Sequence, residues 1–179
     1  MANSFGLWLQ FAWRPENDGQ GFHCDANDPG GNTNRGVTQK SWDDAVEAGY
    51  VTGSLQEALT ADLSKVLHTI CWNACQCDQL PAGIDIMVAD MAMVAGSGAS
   101  ASCLQRIVGA KPDGEIGPLT LKAVDRYHGS YGELLSRLWQ ADDAYYESLR
   151  QFRLWGRGWE RRASDCRTFA LQFVFPSEK

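Results

Sequence analysis

The sequence predicts a mainly α domain with one small β-hairpin near the N-terminus. Three observations carry that reading. Apolar residues recur at three- and four-residue spacing over most of the chain after about residue 41, one polar stretch holds a tight-turn signal between strand-like runs, and no repeat or low-complexity linker divides the chain. At 179 residues and 44% hydrophobic content one substantial core is within reach. A chain of this size buries ~70% of the surface that its unfolded form exposes.

The first segment, Ser4 to Trp13, is apolar enough for a core-facing helix, and Pro15 ends it because proline disfavours helical geometry at Arg14. Asp28, Pro29, Gly30 and Gly31 then suit a tight turn, with Gly21 to Asp25 and Thr33 to Thr38 as its flanking strands. Ser41 opens a helix to about Ala48, and Thr60 opens a longer one through Leu63, Val66, Leu67, Ile70 and Ala74. The stretch from Ile84 to Val94 is apolar almost all round, with only Asp85 and Asp90 polar, the pattern of a helix buried in mid-domain. A further helix follows Gly96-Ser97-Gly98 and stops at Gly109. After the turn KPDGEIG, Gly117 caps a helix with Pro118 at its first position. Leu134, Leu135, Leu138 and Trp139, then Tyr145, Tyr146, Leu149 and Phe152, mark the faces of long helices. Gly156 and Gly158 predict a break before a last helix through Phe169 and Phe173.

A formal charge of -6 argues against nucleic acid as a partner. Locally the balance reverses: Arg150, Arg153, Arg157, Arg161, Arg162 and Arg167 form a basic C-terminal segment, either a solvated face or one turned to anionic polymer. The opening residues lack a charged start and a cleavage site, and no apolar run reaches a membrane span, so synthesis in the cytoplasm and no stable membrane insertion are expected. Six cysteines leave open whether the thiols stay reduced or pair in an oxidising compartment. Seven tryptophans supply core packing and flat faces suited to sugar rings.

Glu16 is the candidate acid. It follows the first helix and precedes the polar hairpin, and partial desolvation between Trp13 and Phe22 would raise its pKa and keep it protonated, as a general acid requires. Asp28 and Thr33 on the hairpin are placed to position a water or to stabilise oxocarbenium-like charge. His68, Cys71, Cys75 and Cys77 share spacing with a metal site but fit core packing or a disulfide better, and His23-Cys24 completes neither an amidase nor a cysteine-hydrolase motif. No metal or cofactor is expected.

The stretch ENDGQGFHCDANDPGGNTNRGVTQKSW resembles the N-terminal signature of glycoside hydrolase family 108, most specifically at Asp28-Pro29-Gly30-Gly31, Thr33, Asn34, Gly36, Val37 and Thr38. Leu80-Pro81-Ala82-Gly83, the helix with Asp90 and Gly96, and Asp113 to Leu121 resemble later parts of that family, and Tyr146, Leu149, Phe152, Gly158-Trp159 and Arg162 continue the likeness. The resemblance implies a lysozyme-like helical fold, a catalytic part over 1–80 and a peptidoglycan-binding helical part over 81–179, packed as one unit. It also implies cleavage of the β-1,4 bond between N-acetylmuramic acid and N-acetylglucosamine in bacterial peptidoglycan, by a monomer. The expected role is that of a phage endolysin, reaching the wall in the periplasm through a holin or a secretion apparatus.

Carried onto this chain, Glu16 is the acid, Asp28 and Thr33 support it, and Phe22, His23, Asn34 and Asp90 are the candidates for holding substrate. An ungapped register puts the acid at Gly19, which has no side chain. The loop therefore holds an insertion, with Glu16 the nearest glutamate and Asp18 its rival. A hydrolytic and a lytic-transglycosylase course remain alternatives, as does a non-catalytic wall-binding or virion protein.

Overall fold

The computed structural model describes residues 4–15, 17, 19, 21–24 and 31–174. In chain order these form α1 (Ser4–Ala12), β1 (Phe22–Cys24), β2 (Asn32–Asn34), β3 (Val37–Thr38), α2 (Gln39–Glu47), α3 (Thr60–Leu67), α4 (Ile84–Ala95), α5 (Ser97–Val108), α6 (Pro118–Asp125), α7 (Tyr131–Glu147) and α8 (Phe152–Ala170). A helix that is apolar all round has to be enclosed. Residues Ile84 through Ala92 of α4 are all buried, and α1, α5, α7 and α8 pack around them. Among the described residues no helix is long and apolar enough to cross a membrane.

The sheet differs from the single expected hairpin. Thr33 to Thr38 is not one strand: β2 and β3 are separate antiparallel strands joined by the two-residue turn Arg35-Gly36. Both turn residues have positive φ, 48° and 82°, as a tight primed hairpin turn requires. β1 pairs with the other edge of β2, His23 opposite Thr33 and Phe22 opposite Asn34. The expected turn at Asp28 to Gly30 lies outside the described residues. Thr38 then caps α2, its Oγ1 accepting from the Ser41 backbone N–H at 3.2 Å, so the helix opens before Ser41.

Gly36 also lies against α4. A Cβ built there would stand 1.7 Å from Met93 Cε, in a backbone conformation that L side chains resist. Gly36→Ala is therefore expected to cost about 1–3 kcal/mol, visible as a lower Tm. Adding Met93→Ala should recover only the part due to the clash. A double variant as unstable as the single one would refute the contact.

Two helices depart from expectation. Beyond α3 the chain widens into a π-helical stretch, His68–Asn73, which seats Trp72 against Trp8 with ring centroids 6.2 Å apart while its indole N–H donates to Asp78 at 2.8 Å. Further on, α8 runs unbroken through Gly156 and Gly158, and the interruption falls at Ser148–Gln151 instead. Gly156 is buried and leaves room for the Phe152 ring, which would lie 2.5 Å from a Cβ there. Packing against α4 and α7 outweighs the helix cost of glycine.

The turn after α5 is built around Gln105. Its Nε2 donates to Asp113 Oδ1 (2.8 Å), the Glu115 carbonyl (3.0 Å) and Thr120 Oγ1 (3.0 Å), while its Oε1 accepts from the Gly114 N–H (3.0 Å). That donor holds the Asp113 carboxyl below its ordinary pKa.

Candidate functional site

The chain leaving α1 folds back on the helix end. The Arg14 carbonyl accepts from the Asn17 N–H at 2.9 Å and the Gly19 N–H at 3.0 Å, and the Asn17 amide donates to the Phe11 carbonyl at 2.9 Å. Glu16, Asp18 and Asp28 lie outside the described residues. Gly19 does not: a Cβ on it would meet the Trp13 carbonyl oxygen at 2.2 Å, so no side chain fits at the position that an ungapped register would make catalytic.

Trp13 joins this segment to the sheet. Its indole N–H donates to the Arg35 carbonyl at 3.0 Å, and the Arg35 guanidinium sits 5.3 Å from the Trp13 ring centre. The β2–β3 turn is thus held between Trp13 on one side and Met93 on the other.

Thr33, in the middle of β2, is 6% exposed, and its Oγ1 has no hydrogen-bond partner among the described residues. A buried hydroxyl left unpaired costs about 1–3 kcal/mol. Across the strand pair His23 is exposed, and its Nδ1 donates to the Gly21 carbonyl at 3.0 Å, so Nε2 is the nitrogen left to face solvent. Phe22 is 36% exposed beside it.

Asn34 and Asp90 are turned inward rather than toward a substrate surface. Asn34 Nδ2 donates to the Leu55 carbonyl at 2.9 Å, tying β2 to the loop after α2. Asp90 is 3% exposed, and both of its oxygens are occupied: Oδ1 accepts from Trp8 Nε1 (3.1 Å) and Arg162 Nη2 (2.7 Å), and Oδ2 from Arg162 Nε (2.9 Å). A buried guanidinium demands such a partner. Arg162 Nη2 also reaches Met93 Sδ at 3.5 Å, which connects the ion pair to the floor of the sheet turn.

The comparisons fall on this framework. Residues 16–96 match the family model Glycosyl hydrolase 108, beginning at Glu16 itself, and residues 99–164 match the model Predicted Peptidoglycan domain. The stretch from residue 16 to residue 96 is thus similar to the glycosyl hydrolase 108 family. A solved structure of SagA from Brucella abortus is similar to this glycosyl hydrolase over 100% of both chains, at 28% identity and a TM-score of 0.86. No curated protein matches it. The lysozyme-like helical fold and a peptidoglycan-directed glycosidase activity follow from these matches.

The glycosyl hydrolase carries further carboxyls deep in its helices. Asp142 on α7 is buried with Oδ1 unpaired among the described residues, and burial pushes its pKa well up, helped by the charges of Asp90 and Asp143. Burial likewise pushes Asp85 up to about 6, against the N–H donors of Ile86 and Gly83 at 2.7 Å. A carboxyl whose pKa rises on folding stabilises the fold fully below its unfolded pKa, ~3.9, and loses that contribution as pH climbs through the folded value. For Asp85 the loss falls between ~4 and about 6 and amounts to roughly 2–3 kcal/mol. Asp142 extends it to higher pH. Urea unfolding should therefore show greater stability near pH ~4.5 than near pH ~7.5. Asp142→Asn should raise stability at the upper pH and leave it nearly unchanged at the lower. Equal pH profiles for the two proteins would overturn this account.

Proposed function

We propose that this glycosyl hydrolase is an N-acetylmuramidase, cleaving the β-1,4 bond between N-acetylmuramic acid and N-acetylglucosamine with Glu16 as general acid. The observation that carries the reading is the Trp13–Arg35 hydrogen bond, which joins the helix end just before the head of the family match to the sheet that bears Thr33. In this reading Glu16 gives its proton to the glycosidic oxygen as the bond to the anomeric carbon breaks. Water then adds to that carbon on the side prepared by Asp28 and Thr33, losing a proton to the Asp28 carboxylate, from which solvent returns it to Glu16, while the Thr33 hydroxyl supplies a donor and an acceptor. Phe22 and His23, two of the three solvent-facing residues of β1, receive the sugar, while Asn34 and Asp90 hold the scaffold. The cellular setting we attach to this chemistry is wall lysis by an endolysin, on the strength of the sequence resemblance alone.

Mass spectrometry of peptidoglycan digested by the purified protein tests the chemistry. Reducing N-acetylmuramic acid ends are the expected product. Products ending in 1,6-anhydro sugars would replace hydrolysis by transglycosylation, and cleaved peptides with intact glycan, or binding without release, would refute the glycosidase role of Glu16.

A further inference from the structure

The seven tryptophans divide by what their indole N–H groups meet. Those of Trp8, Trp13, Trp42 and Trp72 donate to Asp90, the Arg35 carbonyl, the Gly53 carbonyl and Asp78, and that of Trp139 is buried without a partner among the described residues. Trp155 and Trp159 on α8 are half-buried, and neither indole N–H meets an acceptor among the described residues. Their rings are 6.0 Å apart and tilted by 47°, and Trp159 leans on buried Tyr146 at 5.5 Å. The fold thus holds the pair from one side and leaves ring surface and donors on the other.

Gly158 is the second observation. It is exposed, and helical periodicity puts it on the same face as Trp155, Trp159 and Arg162. Gly156 makes room for the Phe152 ring, but apart from its chain neighbours nothing lies within 4 Å of a Cβ built on Gly158. Glycine inside a helix lowers its stability, and no packing contact accounts for this one. What it creates is a notch beside the two rings. Further along the face Arg162 is buried, its guanidinium 6.0 Å from the centre of the Phe11 ring in the last turn of α1 and its Nη2 3.5 Å from Met93 Sδ. The face therefore runs ~10 Å, from the half-buried rings to the residues that support the candidate cleavage site.

We propose that Trp155, Trp159 and the notch at Gly158 form a sugar-stacking site that holds the glycan of peptidoglycan in line with the cleavage site. The proposal rests on peptidoglycan being the substrate, and it assigns the recognised group: the pyranose ring, rather than the peptide stem. An indole offers an apolar face to the C–H groups of a sugar and an N–H to its hydroxyl or acetamido oxygens. The missing side chain at Gly158 lets a ring approach that closely. Both tryptophans lie in the stretch that matches the peptidoglycan model, and the face that bears them is continuous with the framework around Phe11 and Met93.

The test measures binding of glycan chains stripped of their peptide stems, by calorimetry in a Glu16→Gln background that suppresses turnover, for otherwise unchanged protein, Trp155→Ala and Gly158→Leu. Thermal melts verify that each is folded. Trp155→Ala should bind about tenfold more weakly, and the loss should persist at high salt because stacking is not screened. Gly158→Leu should melt at or above the temperature of the parent, since leucine favours the helix, yet bind at least roughly threefold more weakly. With Glu16 restored, Trp155→Ala should raise KM for the same chains and leave kcat unchanged, as the loss of a contact made equally before and during bond cleavage does. Parental affinity in Trp155→Ala, or in Gly158→Leu, overturns the proposal. So does a Trp155-dependent affinity for isolated stem peptides, which would make the face a peptide site. Chains that bind through Trp155 but are never cleaved would count against the muramidase reading alone, and chains that are cleaved equally well by all three proteins would count against this site alone.

Discussion

Glu16→Gln should lower the rate of glycan cleavage by a hundredfold or more while leaving the melting temperature close to that of the wild type. Glutamine keeps the size of the side chain and removes the only proton that it can deliver, and general acid catalysis contributes roughly 10²–10⁴-fold. Asp18→Asn is the companion measurement. With Glu16 as the donor it has a small effect; if it removes activity and Glu16→Gln does not, the acid is Asp18. Gly19 is no third candidate, because it is pressed against the Trp13 carbonyl and cannot carry a side chain. The chain turns tightly over the end of α1 there, with the N–H groups of Asn17 and Gly19 on the Arg14 carbonyl.

The largest effect on stability should come from Asp90→Ala. The substitution leaves the Arg162 guanidinium in the core without its carboxylate and strips the Trp8 indole of its acceptor. Removing one member of a buried pair costs about 3–5 kcal/mol, which for a chain of this size lowers Tm by roughly 10 °C or more. Lys40→Ala is the control. It breaks a pair of similar length whose side chains are 80% and 61% exposed, and should leave stability nearly unchanged. If Asp90→Ala melts within about two degrees of the control, the ion pair is not the structural centre described.

The helical architecture was legible because periodicity is local. Ile84 to Val94 announced its own burial by having no polar side, and Pro118 after Gly117 marked a helix start that the structure bears out. Two departures fall at glycines. Gly36, inside the run expected as one strand, occupies a turn, and Gly156, expected to break the helix, makes space for Phe152. In both cases the deciding contact lies with a side chain that no window of sequence weighs.

The site divides along the same line. Spacing back from Asp28 leads to Gly19, which has no side chain, so Glu16 enters as the nearest glutamate; the family match opens at residue 16. What could not be read was which polar residues pair across the fold. Asp90, a candidate for holding substrate by resemblance, has its carboxylate engaged by Arg162, 72 residues away on α8. Asn34, a candidate on the same ground, donates its amide to the Leu55 carbonyl. Long-range pairing of this sort leaves no trace in periodicity or composition.

That pair has a bearing on how such enzymes can be recombined. Asp90 belongs to the stretch matched by the hydrolase model and Arg162 to the stretch matched by the peptidoglycan model, so the electrostatic centre of the protein straddles the boundary between them. The two stretches are not interchangeable cassettes. A chimera that takes its front from one parent and its back from another inherits a working core only when the carboxylate and the guanidinium arrive as a matched set, together with the apolar surfaces that α4 and α8 present to each other.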